Sequence, residues 1–120
     1  MKKKINSIFI GGKNLGYGCL EHLITKKMKP RYIVANIDDI GKDNAFSKSL
    51  IKLAKKNKIK VVKIDKLYRK IINDKQKIDV IFCIGSTMIL PKEILKVPIL
   101  GTLNIHPSLL PNFRGRYSIP

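Results

Sequence analysis

Asp79-Val80-Ile81-Phe82-Cys83-Ile84, closed by Gly85, is an unbroken apolar run that starts on a carboxylate and stops on a glycine. A strand with one wet face alternates apolar and polar residues. A run without alternation suits a strand covered on both faces, as in the middle of a parallel sheet. Working outward from it, Ile5 to Ile10 reads as a first strand ending at Gly11-Gly12. Asn14 is placed to cap a helix whose apolar positions Cys19, Leu20, Leu23 and Ile24 fall at helical spacing, with Pro30 closing the unit. Tyr32 to Ile37 (YIVANI) reads as a second strand, followed by the polar loop DDIGKDN. An amphipathic helix on Phe46, Leu50, Leu53 and Ala54 comes next, with Asp43 or Asn44 as its cap. Val61 to Ile64 is a third strand and Leu67 to Asn73 a short helix. Beyond Gly85, Pro91 can open a helix over KEILKV, and Ile99 to Ile105 forms a fifth strand.

Strands alternating with helices of this length predict an α/β chain, a Rossmann-like doubly wound, mostly parallel sheet. Residues 1–120 read as one domain, incomplete after about the fifth strand, because RGRYSIP completes no further element. In such sheets ligands gather at the carboxyl ends of the strands. The irregular segments fall there: GGKNLG after the first strand, GSTMILP after the fourth and NIHPSLLP at the fifth.

A formal net charge of +17 over 120 residues invites a nucleic-acid reading. The cations are spread along the whole chain as 21 Lys and 4 Arg, beside 20 Ile and 8 Asn, the usage an A+T-rich genome tends to encode. Aromatic residues are 7% with no Trp, so little is available to stack bases, and a dedicated nucleic-acid-binding role is not expected. Cys19 and Cys83 sit in apolar contexts and read as free thiols of a reducing compartment. No run is long enough to span a bilayer, and the start MKKKINSIFIGGKNLG is interrupted too early for a signal peptide. A cytoplasmic location without membrane contact is the expectation. No His or Cys accompanies Asp38-Asp39, so that pair reads as a loop cap, and no metal site is expected.

Asn104-Ile105-His106-Pro107 carries the densest chemical signal. In extended chain, residues at i and i+2 share a face, and Pro107 keeps His106 out of helix. An amide and an imidazole then stand side by side at the ligand end of a strand. The amide can donate one hydrogen bond to a developing oxyanion; a protonated imidazole can donate another and handle a proton. Standing alone, an Asn-x-His pair is more often a packing Asn beside a satisfied turn His. The surrounding string changes that balance.

LNIHPSLLPNFRG at 103–115, supported by VIFCIGSTMILPKEIL at 80–95 and FIGGKNLGYGCLEHL at 9–23, resembles the folate-dependent formyltransferases. That family includes glycinamide ribonucleotide, methionyl-tRNA and sugar N-formyltransferases. The resemblance implies formyl transfer from 10-formyltetrahydrofolate to a substrate amine, with Asn104 and His106 matching two members of an Asn-His-Asp catalytic set. It further implies that Met88, Ile89 and Leu90 hold the pterin, and that Ser108, Leu109, Leu110 and Pro111 also line the folate site. Gly11, Gly12 and Lys13 lie where some members hold the amine-bearing substrate. The family's catalytic Asp lies beyond the Arg-Gly turn, and no acidic residue here matches it. The 120-residue chain alone is therefore expected to be inactive or very weak unless a second chain supplies the remainder. RGRYSIP resembles the sugar-type members, which favours a small amino-sugar or nucleotide-sugar amine; methionyl-tRNA is the alternative acceptor.

Two other readings stand beside this one. A catalytically dead module could keep a folate or nucleotide pocket. A basic Rossmann-like protein could bind RNA or a dinucleotide, although Gly11, Gly12, Gly16 and Gly18 are spaced G-G-x3-G-x-G rather than as the dinucleotide fingerprint.

Overall fold

A computed structural model describes residues 4–106. Five strands run in one parallel sheet: β1 (Ser7–Gly11), β2 (Tyr32–Ala35), β3 (Lys60–Val61), β4 (Val80–Ile84) and β5 (Gly101–Ile105). Four helices connect them: α1 (Lys13–Thr25), α2 (Leu50–Lys56), α3 (Ile64–Asn73) and α4 (Lys92–Leu95). The order across the sheet is β3-β2-β1-β4-β5. The strand order reverses at β1, which pairs with β2 on one side and β4 on the other. The chain is the α/β, Rossmann-like fold that the alternation of elements predicts.

Both faces of the sheet are covered over β1, β2 and most of β4, which explains the unbroken apolar runs there, whereas β5 is largely exposed. Along β1, Phe9 packs with Leu20 of α1 and with Leu50, Leu53 and Ala54 of α2. Ile8 and Ile10 pack on the other face with Leu67 and Ile71 of α3 and Ile94 of α4. In β4, Ile84 joins the α1/α2 side while Ile81 and Cys83 join the α3/α4 side. Each fully buried Ile, Leu or Phe contributes about 1.5–3 kcal/mol, so this alternation holds the helices on their two faces. Among the described residues no helix is long and apolar enough to cross a membrane.

Several element ends differ from the sequence expectation. Gly12, not Asn14, precedes α1, and Asn14 instead reaches the Phe46 carbonyl and the Lys48 N–H. Helix α2 begins only at Leu50, and Phe46 is 88% exposed. Ser49 caps it, accepting from Lys52 N–H, while Asp39 accepts from Leu50 and Ile51 N–H and from the Ser49 hydroxyl. Asp43 buttresses the cap by accepting from Ser49 N–H, and Asn44 closes a turn by accepting from Phe46 and Ser47 N–H. These side chain–backbone bonds offer the loop an alternative to helix, so the helix starts later than its apolar spacing suggests. Strand β3 has two residues, whereas α3 starts three residues earlier than its apolar positions alone indicated.

Candidate active site

The carboxyl ends of β1, β4 and β5 lie next to one another, and the segments GGKNLG and GSTMILP meet there with the described residues Asn104 to His106. Their backbones are tightly knit. Gly12 N–H donates to the Ile84 carbonyl at 3.1 Å, Gly16 N–H to the Gly12 carbonyl at 2.9 Å and Gly85 N–H to the Ile105 carbonyl at 2.9 Å. Gly85 has φ +66 and its α-carbon faces the Gly12 carbonyl so closely that a side chain has no room. Lys13, which opens α1, also has a left-handed φ of 60 and is exposed. Such strain is retained where the surrounding structure over-determines it.

Asn36, directly after β2, ties this end together and was missed in the sequence. Its N–H donates to the Gly11 carbonyl at 2.9 Å. Its Nδ2 donates to the Gly85 carbonyl at 2.9 Å, and its Oδ1 accepts from Thr87 N–H at 3.0 Å. The residue is 3% exposed, so every polar atom of the amide head is spent inside the protein. Reading YIVANI as strand throughout concealed it. The available signal was an amide following an apolar strand at the ligand end.

Asn36 thus fixes the start of the segment containing Met88, Ile89 and Leu90. Ser86 continues the job, its hydroxyl accepting from Met88 N–H at 3.0 Å. Met88 and Leu90 pack against the α3/α4 face of the core, while Ile89 is 94% exposed. Among the described residues the backbone of Ile89 and Leu90 makes no hydrogen bond. Those N–H and C=O groups suit the donor and acceptor edge of a flat heterocycle.

Asn104 pairs in register with Cys83, and Ile105 with Ile84. Leu103 and Ile105 line an apolar groove on the α1 side with Phe82 and Ile84. Alternation along the strand therefore sends Asn104 to the other face, the one that Cys83, Met88 and Leu90 occupy. His106 follows two residues later, beyond the end of β5, and is exposed, as is Asn104. Burial pushes the Cys83 thiol up, which keeps it neutral and unsuited to act as a nucleophile. Ser108, Leu109, Leu110 and Pro111 lie outside the described residues. Gly11, Gly12 and Lys13 sit at the end of β1, beside the β4 segment. Among the described residues no group of three His, Cys, Asp or Glu is arranged to hold a metal ion.

Residues 24–119 match the family described as formyl transferase. The chain is 38% identical over 109 residues to the bifunctional polymyxin resistance protein ArnA of Wigglesworthia glossinidia brevipalpis, covering 84% of this chain and 16% of that protein. It is 36% identical over 113 residues to the methionyl-tRNA formyltransferase of Clostridioides difficile, covering 90% of this chain and 37% of the relative. It is 34% identical over 119 residues to the methionyl-tRNA formyltransferase of Wigglesworthia glossinidia brevipalpis, covering 94% and 37%. The chain thus spans well under half the length of these relatives.

Proposed function

The chain belongs to the formyl transferase family, and we propose that it carries the oxyanion and donor-binding portion of a site that moves a formyl group from 10-formyltetrahydrofolate to an amine. The observation that carries this reading is the placement of Asn104 on the same sheet face as Met88 and Leu90, at the carboxyl end of β5.

Ile89 and Leu90, whose main-chain groups make no hydrogen bond among the described residues, offer them to the pterin, and the half-buried Met88 and Leu90 side chains give it an apolar wall. Asn104 donates a hydrogen bond to the formyl oxygen as the amine attacks and charge builds on that oxygen. A donor aimed at developing charge is worth about 10²–10³ in rate. His106, protonated, donates a second bond and passes protons. A carboxylate matching the family's Asp, which no acidic residue of this sequence matches, orients His106. Gly11, Gly12 and Lys13 border the amine side.

Two acceptor classes fit. A small amino sugar or nucleotide-linked sugar is favoured by the Arg114-Gly115-Arg116-Tyr117 stretch of the sequence. Methionyl-tRNA is favoured by the names of two relatives and by the +17 charge. The donor is tested by thermal shift: a formylfolate analogue raises the melting temperature and NADH does not, and the reverse would point to a dinucleotide pocket. Catalysis is tested by mass spectrometry of each amine after incubation with donor and the 120-residue chain. Transfer stays near background on this reading; rapid turnover would show that no outside carboxylate is needed.

A further inference from the structure

The amino end of the sheet, opposite the candidate active site, is where three helices stop in one and the same way. After α1, Lys27 N–H donates to the Ile24 carbonyl at 3.0 Å and Met28 N–H to the Leu23 carbonyl at 2.8 Å. After α2, Lys58 N–H donates to Lys55 at 3.1 Å and Ile59 N–H to Ala54 at 2.9 Å. After α3, Lys75 N–H donates to Ile72 at 3.1 Å and Gln76 N–H to Ile71 at 3.2 Å. Each is a Schellman closure, and each places a lysine, with φ of 61, 59 and 53, at the left-handed position that glycine fills best.

Lys27 and Lys58 open onto a cleft of about 1400 Å³. Lys4, Lys26, Lys29, Arg31, Lys60 and Lys77 line it as well, giving eight basic side chains against two carboxylates, Asp74 and Asp79. Both carboxylates are engaged by the protein. Asp74 accepts from the Tyr32 hydroxyl at 2.7 Å and lies 3.5 Å from the Lys70 ammonium; Asp79 accepts from Asn6 N–H at 2.8 Å. A chain whose cations look evenly spread in sequence therefore gathers a third of them around one concavity.

We propose that this cleft binds the phosphate backbone of RNA without regard to base sequence. Seven of the eight cations are lysines, mobile point charges suited to phosphates rather than to fixed forked recognition of a base or carboxylate. The concavity disfavours a flat membrane surface. Protein partners draw most of their affinity from buried aromatic and apolar anchors, and among the described residues the exposed large apolar side chains of this wall are Ile5 and Met28. The bland alternative, lysines that merely complement the negative ends of the helices, predicts no difference between these lysines and others.

Fluorescence anisotropy with a labelled single-stranded RNA about 20 nucleotides long separates the two. Affinity should fall at least about tenfold between about 50 and 200 mM salt. The Lys27→Gly/Lys58→Gly variant removes two cations while relieving strain, so it should melt higher yet lower the slope of log affinity against log salt by about 1.4. Lys63→Gln/Lys66→Gln, equal in charge but outside the cleft, should weaken binding less than about twofold. The proposal is overturned by absent or salt-insensitive binding, by equal losses from the two variants, or by polyglutamate or phosphatidylserine vesicles binding as tightly as RNA.

Discussion

Asn36 bridges β2 to β4 over the end of β1, its Nδ2 donating to the Gly85 carbonyl at 2.9 Å while its Oδ1 accepts from Thr87 N–H. The first bond is buried and the second partly buried, and replacing Asn36 leaves two backbone groups without these partners. Asn36→Leu should cost about 2–4 kcal/mol, since an unsatisfied buried polar group costs about 1–3 kcal/mol. Urea unfolding followed by circular dichroism measures it; a change under about 0.5 kcal/mol, the usual surface effect, would mean the bridge is not formed in solution.

Two glycines should respond in opposite directions to the same substitution. Gly85→Ala meets a left-handed φ and the Gly12 carbonyl, so it should destabilise by about 2 kcal/mol or more. Gly18, inside α1, has open space where a β-carbon would sit, and Gly18→Ala should stabilise by about 0.5–1 kcal/mol. Thermal melts of the two variants check the pair.

The Tyr32–Asp74 hydrogen bond makes stability depend on pH at both extremes. Burial, reinforced by Asp74, pushes the Tyr32 hydroxyl up to about 12, and the bond from Tyr32 holds the Asp74 carboxyl below its ordinary value. The raised tyrosine contributes stability that is complete below pH 10 and lost as pH rises toward about 12. The depressed carboxylate contributes stability present above its ordinary 3.8 and lost as pH falls through its folded value. The stability difference between the parent chain and Tyr32→Phe should therefore be greatest between these limits and shrink outside them. Melting temperatures of both proteins across pH test this; a difference constant with pH would contradict it.

How far the sequence could be read depended on which forces set each feature. DVIFCI and the alternation of its neighbours identify a two-faced parallel strand because burial on both sides leaves an unbroken apolar record. The meeting of the Gly12, Gly85 and Asn104 segments followed from the parallel topology. Helix α2 was misplaced at its start because Asp39, Ser49 and Asn44 contest the backbone there, and nothing in apolar spacing registers such a contest. Asn36 escaped notice because its role depends on residues 49 and 51 positions away along the chain. The basic cleft was hidden for the same reason: its lysines come from separate loops that only the fold brings together.

The central claim is that Asn104 and His106 share a folate-binding pocket with the Met88–Leu90 segment. Titrating the ¹⁵N-labelled chain with a non-transferable 10-formylfolate analogue, followed by two-dimensional NMR, tests it most directly. Saturable shifts should appear together at Gly85, Ile89, Leu90, Asn104 and His106, leaving Lys26 to Arg31 unmoved, and Asn104→Ala should weaken binding. Absence of saturable shifts, or shifts confined to any other part of the sheet, would contradict the account.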